Sequence, residues 1–260
     1  EKGAKIIVAD PRFIETARIA DIYMPIKNGC NIAFLNSFAY AIIEQGLVDE
    51  EFVREHTTGY EDFVKVVQKY SPEATKDITG IDPAMMREAA RMYATAEPSS
   101  ILCWGMGVCQ SAQNVEAVHM CAAIACITHQ IGKPNSGLAP VRGQNNVQGA
   151  CDMGALPNFF PGYQSVTDPA IKQKFADAWH IPVEQLSDHV GYKITDIGHL
   201  VDEGKVRAFV CMGEDGLQTE PDAKKLKEQL MKLEFNVTLD IFMTQTAEIS
   251  DVILPATSWG

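Results

Sequence analysis

The chain has 260 residues, 46% of them hydrophobic, and its 22 Lys and Arg against 34 Asp and Glu leave a formal net charge of −12. That length permits one large domain or two of ordinary size with a sizeable core, while an acidic balance without clustered Lys and Arg excludes nucleic acid or an anionic membrane as the main partner. No apolar run reaches the roughly 18 to 20 residues of a membrane span, Glu1-Lys2-Gly3 does not open a signal peptide, and the expected location is cytoplasmic.

Lys5 to Ala9 is a short β-branched run of the kind that forms a strand buried on both faces, ended by Asp10-Pro11-Arg12. Ligands of open α/β sheets collect beyond the carboxyl ends of strands, so Asp10 and Arg12 stand where a ribose, base or phosphate would be met. A solvated turn with Pro11 as its terminator is the competing reading. Asp21 to Ile26 is a second strand-like piece, and the turn Lys27 to Asn31 feeds an amphipathic run from Ile32 to Gln45, with Asn31 as N-cap. Asp49 to His56 and Tyr60 to Tyr70 read as two shorter helices. Asp82-Pro83 opens another, with Ala89, Ala90, Met92 and Tyr93 as its buried stripe. Ser100 to Trp104 is again a buried strand, followed by Gly105-Met106-Gly107 and an apolar helix from about Ala112 to Ile131. Strand, glycine turn and helix make a nucleotide-fold unit, although no third glycine completes the dinucleotide fingerprint. His119 and His129 read as packed or surface histidines.

Residues 132 to 161 form the one long stretch dense in Gly, Pro and Asn; a run of that length inside a compact protein is usually functional, disordered or a linker, and its amide-rich composition favours the first. At its centre lies Val141 to Gly154. Arg142, Gln144, Asn145, Asn146, Gln148 and Asp152 follow neither a helical nor a strand period, which predicts a loop built to hold something polar, or else an ordinary polar surface loop. The planar fork of Arg142 suits a small carboxylate through two charge-assisted hydrogen bonds.

Beyond it, Asp168 to Trp179 and Ile194 to Asp202 read as helices and Val206 to Met212 as a buried strand ending in Gly213-Glu214-Asp215. A helix over Asp222 to Glu234, a strand over Val237 to Asp240 and a last strand over Asp251 to Leu254 follow. Asp10, Asp215 and Asp240 each end a strand, where carboxylate acceptors suit a guanine or a ribose. The expected fold is α/β: two open, mostly parallel Rossmann-like lobes with helices on both sheet faces, residues 1–143 and 144–260, within a larger multidomain subunit. The abrupt ends of the sequence suggest an internal segment of a longer polypeptide.

Seven cysteines without a C-x-x-C pair, and no His at ligand spacing, leave no metal ligand to assign within the chain. Cys103, Cys121, Cys126 and Cys211 sit in apolar runs and are expected in the core of a protein from a reducing compartment. Ser136 and Ser165 have no neighbouring His that would make a nucleophile and base.

The runs VRGQNNVQGACDMGALP, AKIIVADPRFIETARIAD, ILCWGMGVCQ, MGEDGLQTE and DIFMTQTAEISDVILPATSWG resemble, in order and over nearly the whole chain, the catalytic subunit of molybdenum- or tungsten-dependent formate dehydrogenases. These belong to the molybdopterin oxidoreductases. The resemblance implies two molybdopterin guanine dinucleotides on one Mo or W, lying between the two lobes. Asp10, Pro11, Arg12, Gly29, Asn31, Met106, Gly107 and Gln110 would serve one dinucleotide, and Gly213, Glu214, Asp215 and Asp240 the other. Where relatives often carry aspartate this chain has Asn31, and Gly216 stands where they often carry proline. Arg142 would orient formate, with Gly143 and Gln144 lining the cofactor, while the C–H hydrogen is removed, two electrons pass to the metal and CO2 leaves. The family's metal-ligating Cys or selenocysteine, its neighbouring His and its 4Fe-4S cysteines would lie upstream; Cys151 reads as a structural position. An iron-sulfur or flavin electron-transfer subunit would be the partner. Another molybdopterin oxidoreductase, of the nitrate reductase or formylmethanofuran dehydrogenase type, and a non-catalytic paralogous subunit are the alternatives.

Overall fold

The computed structural model describes residues 3–258; Glu1, Lys2, Trp259 and Gly260, which fall at the ends of the two expected lobes, lie outside the described residues. The chain forms two compact units, Glu1–Val147 and Gln148–Gly260.

In the first unit, β1 (Ile7–Ala9) pairs in parallel with β2 (Ile22–Met24), joined by a 3-10 turn, Glu15–Ile19. The helix α1 (Asn31–Glu44) follows, then α2 (Glu50–His56), α3 (Tyr60–Val67), α4 (Pro72–Thr79) and α5 (Pro83–Ala94). Local chemistry places their starts. The side chains of Asp49, Ser71 and Asp82 each accept a backbone N–H of the first turn of α2, α4 and α5, with Pro at the first turn of the latter two, an arrangement that stabilises a helix by about 0.5–2 kcal/mol. Asn31 is a correction: Cys30 occupies the N-cap position without a side-chain cap, and Asn31 is the first helical residue. The helix α4 lies outside the expected elements, although Ser71-Pro72 carries its start signal. Arg87 ties α5 to its neighbours, its Nε donating to Glu44 at 2.7 Å and its terminal nitrogen to Glu73 at 2.7 Å.

The strand β3 (Ile101–Trp104), the short α6 (Met106–Cys109), α7 (Asn114–Ile127) and β4 (Gly137–Pro140) complete this unit, β3 and β4 running parallel. One core serves both two-stranded sheets. Met24, Phe38, Ile42, Ile81, Met86 and Ile124 are among its buried members, and Ile7, Leu102, Trp104 and Leu138 pack against it. The expected fully buried strand at 100–104 alternates instead: Leu102 and Trp104 face the core while Ile101 and Cys103 are exposed. With β4 as its only strand neighbour, β3 is covered on one face among the described residues, and Cys103 is therefore no core residue. Cys121 is buried as expected, and Cys126 is half-buried.

The stretch 132–161 is not structureless. It contains β4, the helix α8 (Val147–Asp152) and the strand β5 (Phe159–Phe160). The apolar residues Leu138 and Ala139 pair with β3, and burial of Cys151 anchors α8, so local pairing and packing organise a segment whose polar residues have no clear period. In the second unit β5 forms an antiparallel pair with β6 (Gln164–Ser165). Its Phe160 stacks on Phe175 of α9 (Pro169–Trp179) at 4.7 Å between ring centroids, and Trp179 closes the aromatic cluster. Gly154 has φ +87°, and a Cβ there would meet Pro161 N at 2.9 Å, so this turn requires glycine.

The helix α10 (Ile194–Asp202) precedes a parallel sheet of β7 (Ala208–Met212), β8 (Phe235–Asp240) and β9 (Val252–Pro255) in the order β7-β8-β9, with α11 (Gly216–Thr219), α12 (Ala223–Leu230) and α13 (Gln245–Glu248) between the strands. Ile194, Ile197, Leu226 and Leu230 gather with Phe209 and Cys211 on one sheet face. On the other face Val210 and Met212 are 63% and 72% exposed; the expected buried strand at 206–212 is buried on one side only, because the described helices collect on that side. No helix among the described residues is long and apolar enough to cross a membrane.

Candidate functional site

The first unit brings three sequence-distant turns together at the carboxyl ends of its strands. The backbone N–H of Val141 donates to Trp104 O at 2.7 Å, extending the β3–β4 register by one step. That places Val141 O within 3.8 Å of where a Cβ on Gly105 would stand. Arg142, the next residue, therefore leaves the sheet edge beside the Gly105-Met106-Gly107 turn. The third turn arrives from α1: Asn31 Nδ2 donates to Gly107 O at 3.0 Å across 76 residues of sequence. Gly29 precedes it in the left-handed conformation, φ +77°, and the buried Cys30 thiol donates to Lys27 O at 2.8 Å. Burial raises that thiol's pKa. Within the glycine turn the N–H of Gln110 donates to Met106 O at 2.6 Å, and the side chains of Met106 and Gln110 are exposed.

The Asp10-Pro11-Arg12 turn lies beyond the carboxyl end of β1. Asp10 Oδ1 accepts the Arg12 N–H at 2.8 Å, its backbone N–H donates to Met24 O at 3.2 Å, and the Tyr23 hydroxyl donates to Asp10 O at 3.0 Å. The carboxylate thus shapes its own turn, and the Arg12 guanidinium is left exposed. No hydrogen bond joins this turn to the Asn31–Gly107 pair among the described residues. Neither Arg12 nor Arg142 has an ion-pair partner among them, whereas Arg54, Arg87 and Arg207 are each paired with glutamate. Gly143 and Gln144 follow Arg142 as exposed residues.

The second unit places its acids at the carboxyl end of β7–β9. Gly213, at φ +66°, turns the chain out of β7, and its N–H donates to Leu239 O at 2.9 Å. Glu214 is exposed, with one 3.4 Å contact from the Thr219 hydroxyl. Asp215 is engaged differently. Its Oδ1 accepts the Thr246 N–H at 3.0 Å and the Thr246 hydroxyl at 2.7 Å, and its Oδ2 accepts the Gln245 N–H at 3.3 Å. Asp240 Oδ1 accepts the Phe242 N–H at 2.9 Å. Cys211, beneath these acids, has its pKa raised first by burial and then by the neighbouring negative charge of Glu214, Asp240 and Asp215. The sequence singles out the three acids but not Thr246, the second residue of α13, which is 1% exposed; the signal present is Thr244, a threonine at the N-cap of that helix.

A family model described as molybdopterin oxidoreductase matches residues 1–260. The chain is 54% identical over 258 residues to "Formate dehydrogenase H" of Escherichia coli, a match covering 99% of this chain and 36% of that protein. It is 44% identical over 260 residues to "F420-dependent formate dehydrogenase 1 subunit alpha" of Methanococcus maripaludis, covering 100% and 38%. Among solved structures, the acetylene hydratase from Pelobacter acetylenicus superposes with a TM-score of 0.69 at 25% identity, covering 98% of this chain and 37% of that one. The chain thus spans a little over a third of the length of these two curated relatives.

Proposed function

The chain belongs to the molybdopterin oxidoreductase family, and on that premise we propose that it is the central segment of a formate dehydrogenase catalytic subunit, oxidising formate to CO2 or running the reverse. The observation that carries this reading is Arg142, an exposed arginine without an ion-pair partner among the described residues, set at the edge of β4 beside a glycine turn in a chain of net charge −12. An anionic substrate needs such a local exception. Family membership implies a molybdopterin cofactor with Mo or W, which when bound takes up the two electrons of the formate C–H bond.

The residues present fit such a group. A Cβ on Gly107, Gly143 or Gly213 would meet nothing within 4 Å, so a ligand can approach the backbone closely on that side. Arg12 and Arg142 supply unpaired cations for phosphate and carboxylate, and Glu214 and Asp240 supply acceptors for the donors of a base or ribose. In this reading Asp10, Pro11, Arg12, Gly29, Asn31, Met106, Gly107 and Gln110 hold one guanine dinucleotide. Gly213, Glu214, Asp215 and Asp240 form the turn and strand end that hold a second. Gly143 and Gln144 line the pterin, and Arg142 binds and orients formate through both guanidinium donors.

The longer polypeptide would contribute the metal-ligating residue and a 4Fe-4S cluster upstream, act in the cytoplasm and pass electrons to an iron-sulfur or flavin subunit. The test is substrate-dependent dye reduction by the full-length protein. Formate reduces an artificial acceptor; turnover of nitrate with a reduced dye, and none of formate, would overturn the reading.

A further inference from the structure

The turn that enters α1 carries a reactive pair of residues at its tip. Its ends are held. The Lys27 N–H donates to Thr79 O at 2.9 Å and its Nζ to Asp77 O at 2.8 Å, both at the end of α4, while Cys30 is buried with its thiol donating to Lys27 O at 2.8 Å. Between these anchors Asn28 and Gly29 are exposed. Among the described residues neither the Asn28 amide nor the Gly29 N–H makes a hydrogen bond. We propose that Asn28 is a site of spontaneous covalent modification, deamidating through a succinimide to aspartate and isoaspartate with water as the co-reactant.

The Gly29 nitrogen, on giving up its proton to hydroxide, attacks Asn28 Cγ. A bond forms between that nitrogen and Cγ, closing the ring; the bond from Cγ to Nδ2 breaks, and ammonia leaves with a proton from water. Water then opens the ring. Breaking the new bond gives aspartate, and breaking the original peptide bond gives isoaspartate, whose backbone runs through Cγ. Nothing is oxidised or reduced: amide and water become carboxylate and ammonium. Asn28 alone among the asparagines of the sequence is followed by glycine. Glycine has no Cβ to crowd the attacking nitrogen and moves freely between both signs of φ; Gly29 stands at φ +77°, where a Cβ would meet nothing within 4 Å. Other asparagines show what stops the reaction. Asn31 has Nδ2 on Gly107 O and a β-branched Ile32 after it, and Asn36 is 4% exposed within α1. Asn135 is exposed, but the N–H of Ser136 that would have to attack donates to Lys133 O at 3.2 Å. Conversion sets a new carboxylate beside Gly29, and isoaspartate also lengthens the turn. Resting on the reading above, which gives Gly29 and Asn31 to an anionic dinucleotide, both products weaken its hold, and turnover declines as Asn28 is converted.

The experiment incubates the full-length protein, purified with its cofactor, at neutral and at alkaline pH. Peptide mass spectrometry follows each asparagine, with fragmentation that separates aspartate from isoaspartate, alongside formate-dependent dye reduction. Asn28 converts at least tenfold faster than Asn31, Asn36 or Asn135, faster at the higher pH, and yields isoaspartate with aspartate. Asn28→Gln, whose longer side chain closes a ring poorly, starts with wild-type Tm and turnover, shows no conversion at that position and keeps its turnover at least threefold longer. Asn28 left intact in the native protein, while urea-unfolded protein converts it, would overturn the proposal, as would conversion of Asn135 at an equal rate. Turnover lost equally fast in Asn28→Gln and wild type would overturn the link to activity. Conversion of Asn28 in a protein that turns over no formate from the outset would uphold the modification and contradict the formate reading, a result distinct from the others.

Discussion

In the first unit the outward-facing turns rest on a core whose central side chains, Met24, Ile42, Met86 and Ile124, are fully enclosed, and those turns present Arg12 and Arg142, which have no ion-pair partner among the described residues. In the second unit the corresponding turns stand on a three-stranded sheet covered on one face, and two of their acids, Asp215 and Asp240, are bonded to backbone N–H groups. The contrast separates two ways of holding a polar ligand. A deep core backs turns that carry an unpaired cation, with the Asp10 carboxylate bonded only within its own turn. A thin sheet holds its turns through a carboxylate, Asp215, that bridges one loop to the next.

Core substitutions break this contrast most sharply. Ile42→Ala removes a completely buried side chain and costs about 2–5 kcal/mol, whereas Val210→Ala, at 63% exposure on the open sheet face, stays within about 0.5 kcal/mol. Chemical denaturation of both variants checks the difference, and equal losses would show that the second unit's open face is covered in solution.

A smaller effect is expected at Asn31. Asn31→Asp replaces the amide that donates to Gly107 O with a group that accepts only, and loses about 1 kcal/mol. Read as Tm, this is a drop of roughly 2–4 °C. An unchanged or raised Tm would mean that the glycine turn is held without Asn31.

Much of this architecture is legible locally. The run KIIVA stops at a proline turn, Asp82-Pro83 caps and opens α5, and Asp168 caps α9, because each signal acts within four residues. The candidate site is legible as residue types: an arginine among amides and glycines, and acids at strand ends. What the sequence hides are the partnerships. Asn31 reads as an N-cap because its side chain suits one, yet its amide goes to a carbonyl 76 positions away. Asp215 reads as a ligand acid, and its bonds run to residues 30 and 31 positions on. The helix α8 escapes a periodicity argument because it is six residues long and anchored by Cys151. Burial of strands is likewise misjudged from apolar content alone, since Cys103 and Val210 sit on strand faces that no described helix covers.

The central claim is that Arg142 binds the substrate, and the direct test is steady-state kinetics of Arg142→Ala and Arg142→Lys in the full-length, metal-loaded protein. Truncating one partner of a hydrogen-bonded charge pair costs about 2–5 kcal/mol, so Arg142→Ala should lower kcat/KM for formate roughly 30-fold to several thousand-fold at unchanged metal content. Arg142→Lys, which keeps charge but loses the fork, should fall between. A kcat/KM for formate equal to wild type in Arg142→Ala would contradict the account.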